Sequence, residues 1–236
     1  YAPKVQKIDV TFTPFDMQSF ISEAQVLRAL AYFYLVRLFK DVPFVIEPSD
    51  NDDIYFFPPK TDGKVILSAV KEDLKKARLK LAGDYGNISE NKGRISRWST
   101  EAILADICLW NFEYEEALIY LDNIINTGNY FLQPSIRWFD IYNPGNSLEG
   151  IFEFQFDVAL GQSNTLYNRT WVVDRYVASE YALENLFPGT SNENIRGMGS
   201  ISRESTGYKI WKYCGDVADQ VSVRPSSIGA SANFIV

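Results

Sequence analysis

Histidine is absent from this sequence. That removes the usual general base at neutral pH and the commonest metal ligand. Ser-His-Asp and Cys-His catalysis and histidine-based zinc sites are excluded within the chain. Cysteine is nearly absent too. Cys108 and Cys214 lie in different segments, and no disulfide is expected between them. Cys108 falls in an apolar helical stretch and is expected to pack as a small hydrophobe. No uninterrupted apolar run reaches the roughly 18 residues that a membrane-spanning helix needs. The first residues, from Tyr1 to Asp9, hold no apolar signal core. Long basic runs are missing as well. The densest, Lys71 to Lys80, is interrupted by acids, and the net charge is -7. It reads as a solvated helix face, and no nucleic-acid partner is expected.

What is present is the balance of an ordinary globular protein, with 46% hydrophobic and 22% charged residues. An aromatic content of 15% exceeds what a helical core requires, so some rings are expected to line a binding surface. The absence of an initiating Met and the apolar finish at Asn233-Phe234-Ile235-Val236 suggest an internal segment of a longer protein.

Helical periodicity dominates residues 1–133. From Met17 to Lys40, Ala24, Leu27, Ala31, Leu35 and Leu38 recur at spacings of three and four, which predicts a buried stripe. Tyr32, Phe33 and Tyr34 broaden it. Asp41 and Pro43 make a firm stop. Residues Glu47 to Pro59 read as a loop. Its Asp50, Asn51, Asp52 and Asp53 offer oxygen ligands without calcium-loop spacing, so a solvated acidic loop is expected rather than a metal site. A second helix is predicted from Asp62 to Ala82, capped by Asp62 or Thr61, with Ile66, Ala69, Val70, Leu74, Ala77 and Leu81 on one face and Gly83 at its end. Ser99 is a candidate cap for a third helix carrying Ala102, Ala105 and Leu109. A fourth carries Ala117, Leu118, Leu121, Ile124 and Ile125 and stops at Gly128. Residues 102–130 have the pattern of a tetratricopeptide-type hairpin, with alanines where helices approach closely.

From Pro134 onward Gly, Asn, Ser and Pro become frequent and the helical period fades. Ile151 to Phe156 and Tyr208 to Tyr213 read as strands, and Ser179 to Leu186 as a short helix. Long loops are expected from Asp157 to Tyr176 and from Gly189 to Gly207, the kind of segment in which function resides.

Four segments carry a family pattern. Residues 22–43 read SEAQVLRALAYFYLVRLFKDVP. This run resembles, almost position for position, the "EA-x-x-LRA-x-x-Y-x-x-L-x-x-x-[FY]-G-D-[VI]-P" run of the SusD/RagB family. Lys40 stands where the family has Gly, a departure that should cost little because Asp41 and Pro43 still set the turn. Gly93-Arg94-Ile95, followed by Ala102, Leu104, Ala105, Leu109, Tyr114, Ala117, Gly128 and Tyr130, is similar to the family's entry into its repeat-like hairpin. Glu149-Gly150-Ile151-Phe152-Glu153 is similar to its "E-[SV]-I-F-E" strand. Lys209-Ile210-Trp211-Lys212-Tyr213 with Asn233-Phe234-Ile235 is a weaker match.

The resemblance implies a mainly α fold, in which tetratricopeptide-like hairpins scaffold long loops with a few short strands. Residues 1–133 would be the scaffold and 134–236 the loop-rich remainder of one incomplete SusD-like domain. It implies a surface lipoprotein of the bacterial outer membrane that touches the membrane only through a lipid anchor outside this chain. Such a protein binds a glycan or peptide ligand and hands it to a SusC-like TonB-dependent transporter. No cofactor and no metal are expected.

The residues favour the same chemistry. A sugar ring has a C–H face that an aromatic ring can cover, and hydroxyls that need paired donors and acceptors. The segment from Gln162 to Tyr176 holds both. Trp171 is the expected stacking platform, extended by Tyr167 or Tyr176, with Asn168, Arg175 and Asn164 for the hydroxyls. Trp138, Phe139, Trp98 and Trp110 are expected to pack. Two other functions remain open: a helical-repeat scaffold that binds protein, and, more remotely, a glycoside hydrolase using Glu149 and Glu153.

Overall fold

The computed structural model describes residues 2–5, 7–9, 11–47, 57–134, 137–142, 144–165, 169–170, 173, 175–182, 185, 201–204, 207–210 and 234–235. The chain divides into two compact units, one of residues 1–87 and 94–127, the other of residues 88–93 and 128–236.

The first unit is helical. After a single turn, α1 (Ala2–Val5), comes α2 (Pro14–Phe39). Thr13 and Asp16 cap its start reciprocally, with Pro14 at the first helical position. Its buried face is Ser22, Val26, Ala29, Leu30, Tyr32, Phe33 and Val36. The stripe expected to be core lies outside. Leu27, Leu35 and Leu38 are 44%, 38% and 71% exposed, and Ala24 and Ala31 are exposed as well. The reason is that α2 is apolar around most of its circumference, so two offset stripes fit one period equally well. Tertiary partners choose between them. The Tyr32 hydroxyl donates to the Val45 carbonyl and accepts from the Val45 N–H, both at 2.8 Å. Arg28 reaches Asp73 at 3.1 Å.

Among the described residues of this unit, two that are not glycine take positive φ, Lys40 and Phe112. At the end of α2, Lys40 has φ 65° and ψ -77°, and the Asp41 N–H donates to the Phe39 carbonyl at 2.9 Å. This is the rare, strained form of three-residue turn. The substitution of Lys for Gly is therefore not cheap, since Asp41 and Pro43 hold the segment but do not relieve φ. Strand β1 (Val42–Pro43) then pairs antiparallel with β2 (Lys60–Thr61).

Helix α3 (Gly63–Ala77) is capped by Asp62, whose carboxylate accepts from the Lys64 N–H at 2.8 Å. Ile66, Leu67, Val70, Leu74 and Ala77 are buried. The helix ends at Ala77 rather than Ala82, although Leu81 remains buried beyond it. Gly83 is thus not its terminus. Helix α5 (Arg97–Trp110) is capped by Ser96, not Ser99. Ser99 instead completes the reciprocal pair, its hydroxyl accepting from the Ser96 N–H at 2.8 Å. Its end turns through Asn111 and Phe112, the latter at φ 61°, with the Glu113 N–H closing on the Cys108 carbonyl at 2.8 Å. Helix α6 (Tyr114–Ile125) folds back on α5. Ala105, Cys108, Ala117, Tyr120 and Ile124 are buried, whereas Leu109, Leu118 and Ile125 are exposed.

The second unit contains α4 (Ile88–Gly93), a 3-10 turn at Phe139–Ile141, and short strands. Trp138, Phe139, Ile141, Tyr142 and Phe152 form its core, in keeping with a packing role for Trp138 and Phe139. The strand expected over 151–156 is shorter, β3 (Glu153–Phe154), paired antiparallel with β7 (Phe234–Ile235). Strand β6 (Gly207–Ile210) lies between β5 (Ile201–Glu204) and β4 (Val177–Ala178). Neither β4 nor β5 was apparent from alternation, because a strand of two to four residues has too few positions to show a period.

Candidate functional site

The motif residues are structural fastenings. Glu23 in α2 accepts from Arg94 at 2.6 Å, and the Arg94 guanidinium lies 4.1 Å from the centre of the Tyr85 ring. Asp41 accepts from the Gly63 N–H at 3.1 Å and so ties the end of α2 to the start of α3. In the second unit, a side chain at Gly93 would meet the Gln155 amide at 2.9 Å, which accounts for a glycine there.

The proposed ligand segment, 162–176, is partly described. Tyr167, Asn168 and Trp171 lie outside the described residues. Arg175 and Tyr176 are exposed, Tyr176 to half its surface. Their N–H groups donate to one acceptor, the Arg169 carbonyl, at 2.8 and 3.2 Å. The turn is therefore closed by its own backbone, and β4 begins directly after it. Asn164 is buried at 4% exposure, as is Thr170. The structure thus brings Arg175 and Tyr176 together at the surface and places Asn164 inside. An exposed phenol ring can cover a C–H face, and an exposed guanidinium can donate to hydroxyl oxygens. Residues Asp50 to Asp53, considered for calcium, lie outside the described residues.

The two carboxylates weighed for hydrolysis are engaged by the fold. Glu153 is 1% exposed and accepts from the Asn146 N–H at 2.8 Å; Glu149 accepts from the Gln133 N–H at 2.7 Å. Beside them Lys92 is buried, donates to the Gly150 carbonyl at 2.5 Å and sits 4.3 Å from the Tyr130 ring centre. Burial lowers its pKa, with the Glu153 charge opposing.

Sequence reasoning missed one polar cluster. Cys108, Glu113 and Glu116 bring a thiol and two carboxylates within 4.8 Å of one another. A cation already sits among them: Lys71 Nζ lies 2.5 Å from Glu113 and 2.8 Å from Glu116, and Lys75 reaches Glu116 at 2.9 Å. Burial works against the Lys71 charge, but its bonds to Glu113 and Glu116 outweigh this and hold the pKa well above the lysine range. The Lys71 and Lys75 bonds hold the Glu116 carboxyl at about 2. Burial, reinforced by the Glu116 charge, pushes the Cys108 thiol up to about 11, so it stays protonated and unreactive. The signal available in sequence was Lys71 and Lys75 one turn apart, off the buried stripe.

Comparison with known proteins places these features in context. No family model matches the chain. Over 139 residues, 59% of its length, the chain is 30% identical to SusD-like protein P25 of Formosa agariphila. A SusD superfamily protein from Bacteroides thetaiotaomicron superposes with a TM-score of 0.72 over 99% of the chain, at 19% identity. The chain is thus similar in sequence to a SusD-like protein and shares the fold of SusD superfamily structures. Its mainly α architecture with few short strands is the SusD-like fold. A further SusD-like structure, described as laminarin binding, matches with a TM-score of 0.69 and 20% identity over 95% of the chain. The chain spans about a quarter of the length of the curated relative, 25%, and 55% and 58% of the two solved structures.

Proposed function

We propose that this chain belongs to a carbohydrate-binding protein of the bacterial cell surface that captures oligosaccharide and passes it to a SusC-like TonB-dependent outer-membrane transporter. The observation that carries the reading is the fold shared over 95% of the chain with a laminarin-binding SusD-like protein. Membrane contact is through a lipid anchor. Residues 1–133 serve as scaffold and 134–236 supply the binding loops. Trp171 stacks on the sugar, Tyr167 or Tyr176 extends the platform, and Asn168 and Arg175 engage hydroxyls, while Asn164 is buried. The protein binds without hydrolysing, since Glu153 is buried and Glu149 is bonded to backbone. Titration with laminarin tests this. Trp171→Ala should weaken binding by roughly 1–3 kcal/mol and leave the melting temperature nearly unchanged. Unchanged binding would place the site elsewhere, a collapse in melting temperature would make Trp171 a structural pin, and release of reducing ends would overturn the non-enzymatic reading.

One observation favours a second reading, a helical scaffold that binds protein: the apolar stripe of Leu27, Leu35 and Leu38 faces out of α2. Leu35→Glu with Leu38→Glu would then abolish co-purification of the transporter and leave laminarin binding intact. Retained transporter association would set this reading aside.

A further inference from the structure

Non-glycine residues at positive φ are costly, and they collect where a ligand rather than packing justifies them. Among the described residues there are three, Lys40, Phe112 and Asn146. Two of them, Lys40 and Phe112, line the same cleft of the helical unit, a cavity of about 680 Å³ between the end of α2, the start of α3 and the α5–α6 turn. That volume suits a small ligand or one to two sugar rings.

Phe112 is the informative residue. It occupies the left-handed position that ends α5, where Gly or Asn is the unstrained choice. The residue is 76% exposed, so burial returns little of the backbone cost. Trp110 stands two residues earlier in the same cleft, 47% exposed. The Arg37 guanidinium lies 5.2 Å from the Trp110 ring centre and 3.5 Å from Asp106, which fixes both cation and ring. Lys40 and Lys64 line the cleft and pair with no described acidic residue. Asn111 adds an amide. The exposed parts of Phe112 and Trp110, bordered by donors and by the carboxylates of Asp41, Asp62 and Glu113, can meet the apolar C–H face of a sugar ring and its hydroxyls.

We propose that this cleft is a second carbohydrate-binding site, on the helical scaffold, in which Phe112 and Trp110 stack on a sugar ring and Arg37, Lys64 and Asn111 hold its hydroxyls. The ligand class rests on the carbohydrate-binding reading above; the location is independent of the 162–176 segment.

The test is calorimetric titration of the 236-residue chain with laminarihexaose, maltohexaose and xylohexaose, with melting temperatures taken on the same samples. Phe112→Gly should weaken one binding event about tenfold, the scale of a lost ring-stacking contact, and at the same time raise the melting temperature, because glycine relieves the turn. Trp110→Ala should weaken the same event, and Trp171→Ala should leave it unchanged. A Phe112→Gly protein that melts lower, or binding indifferent to both Phe112→Gly and Trp110→Ala, overturns the second site. If that indifferent binding is lost in Trp171→Ala, the carbohydrate reading survives alone. No binding of any of the three sugars by the parent protein overturns both.

Discussion

At the scale of single residues, Lys40 and Gly63 show how one turn distributes its constraints. Lys40 takes φ 65° with its side chain exposed, so no buried contact offsets the strain. Its carbonyl closes against α3: a Cβ on Gly63 would come within 2.5 Å of the Lys40 oxygen and 2.9 Å of a Val36 methyl. Glycine is needed at 63 for space and preferred at 40 for conformation. Lys40→Gly should therefore stabilise the protein by about 1 kcal/mol, strain relief exceeding the entropy glycine adds to the unfolded chain. In a chain of this size that is a rise of about 2–4 °C in melting temperature. Gly63→Ala should act oppositely, by about 1–3 kcal/mol, because backbone rather than a flexible side chain stands in the way. Urea unfolding of the two variants checks both signs. The motif made the Gly-to-Lys departure visible in sequence, but the sign of φ that gives it a cost belongs to the folded turn.

At the scale of elements, what periodicity could reveal depended on how much polar contrast a helix carries. Helix α3 alternates lysines with its apolar stripe, and Ile66, Val70, Leu74 and Ala77 fall on the buried side as the pattern requires. Helix α2 has little contrast, and the stripe read from it is the outer one. The two faces should respond very differently to truncation. Phe33, 1% exposed, packs edge-on against Trp110 with ring centres 6.4 Å apart. Phe33→Ala should cost about 3–5 kcal/mol. Leu27→Ala, on the outer face, should cost less than about 1 kcal/mol. Thermal melts of the pair decide the matter, and comparable losses would show that the outer face is covered in solution. The α5 cap was one turn out for a related reason: Ser96 and Ser99 are both good caps, and only the reciprocal bond between them reveals which residue precedes the helix.

At the scale of the whole molecule, segments remote in sequence are joined by contacts that local pattern does not encode. Strand β3 finds β7 some eighty residues later through two residue pairs. The surface turn at Arg175 and Tyr176 was legible as composition, yet the single carbonyl that closes it was not. Lys71 is the clearest such joint, linking α3 to the α5–α6 hairpin through Glu113 and Glu116, and acid should expose it. The Glu116 carboxyl is held at about 2, below its ordinary 4.5. As pH falls, the unfolded chain takes up that proton first, so Glu116 contributes fully above about pH 4.5 and loses its contribution progressively toward pH 2. We expect Glu116→Gln to be about 1–2 kcal/mol less stable than the parent at pH 7, a modest value because the carboxylate is partly in solvent. The gap should narrow between pH 4.5 and 2, and Glu116→Gln should therefore show a flatter acid limb. Urea unfolding of parent and variant at pH 7, 4 and 2.5 measures it. A gap that stays constant with pH would show that Glu116 acts through packing rather than through its charge on Lys71.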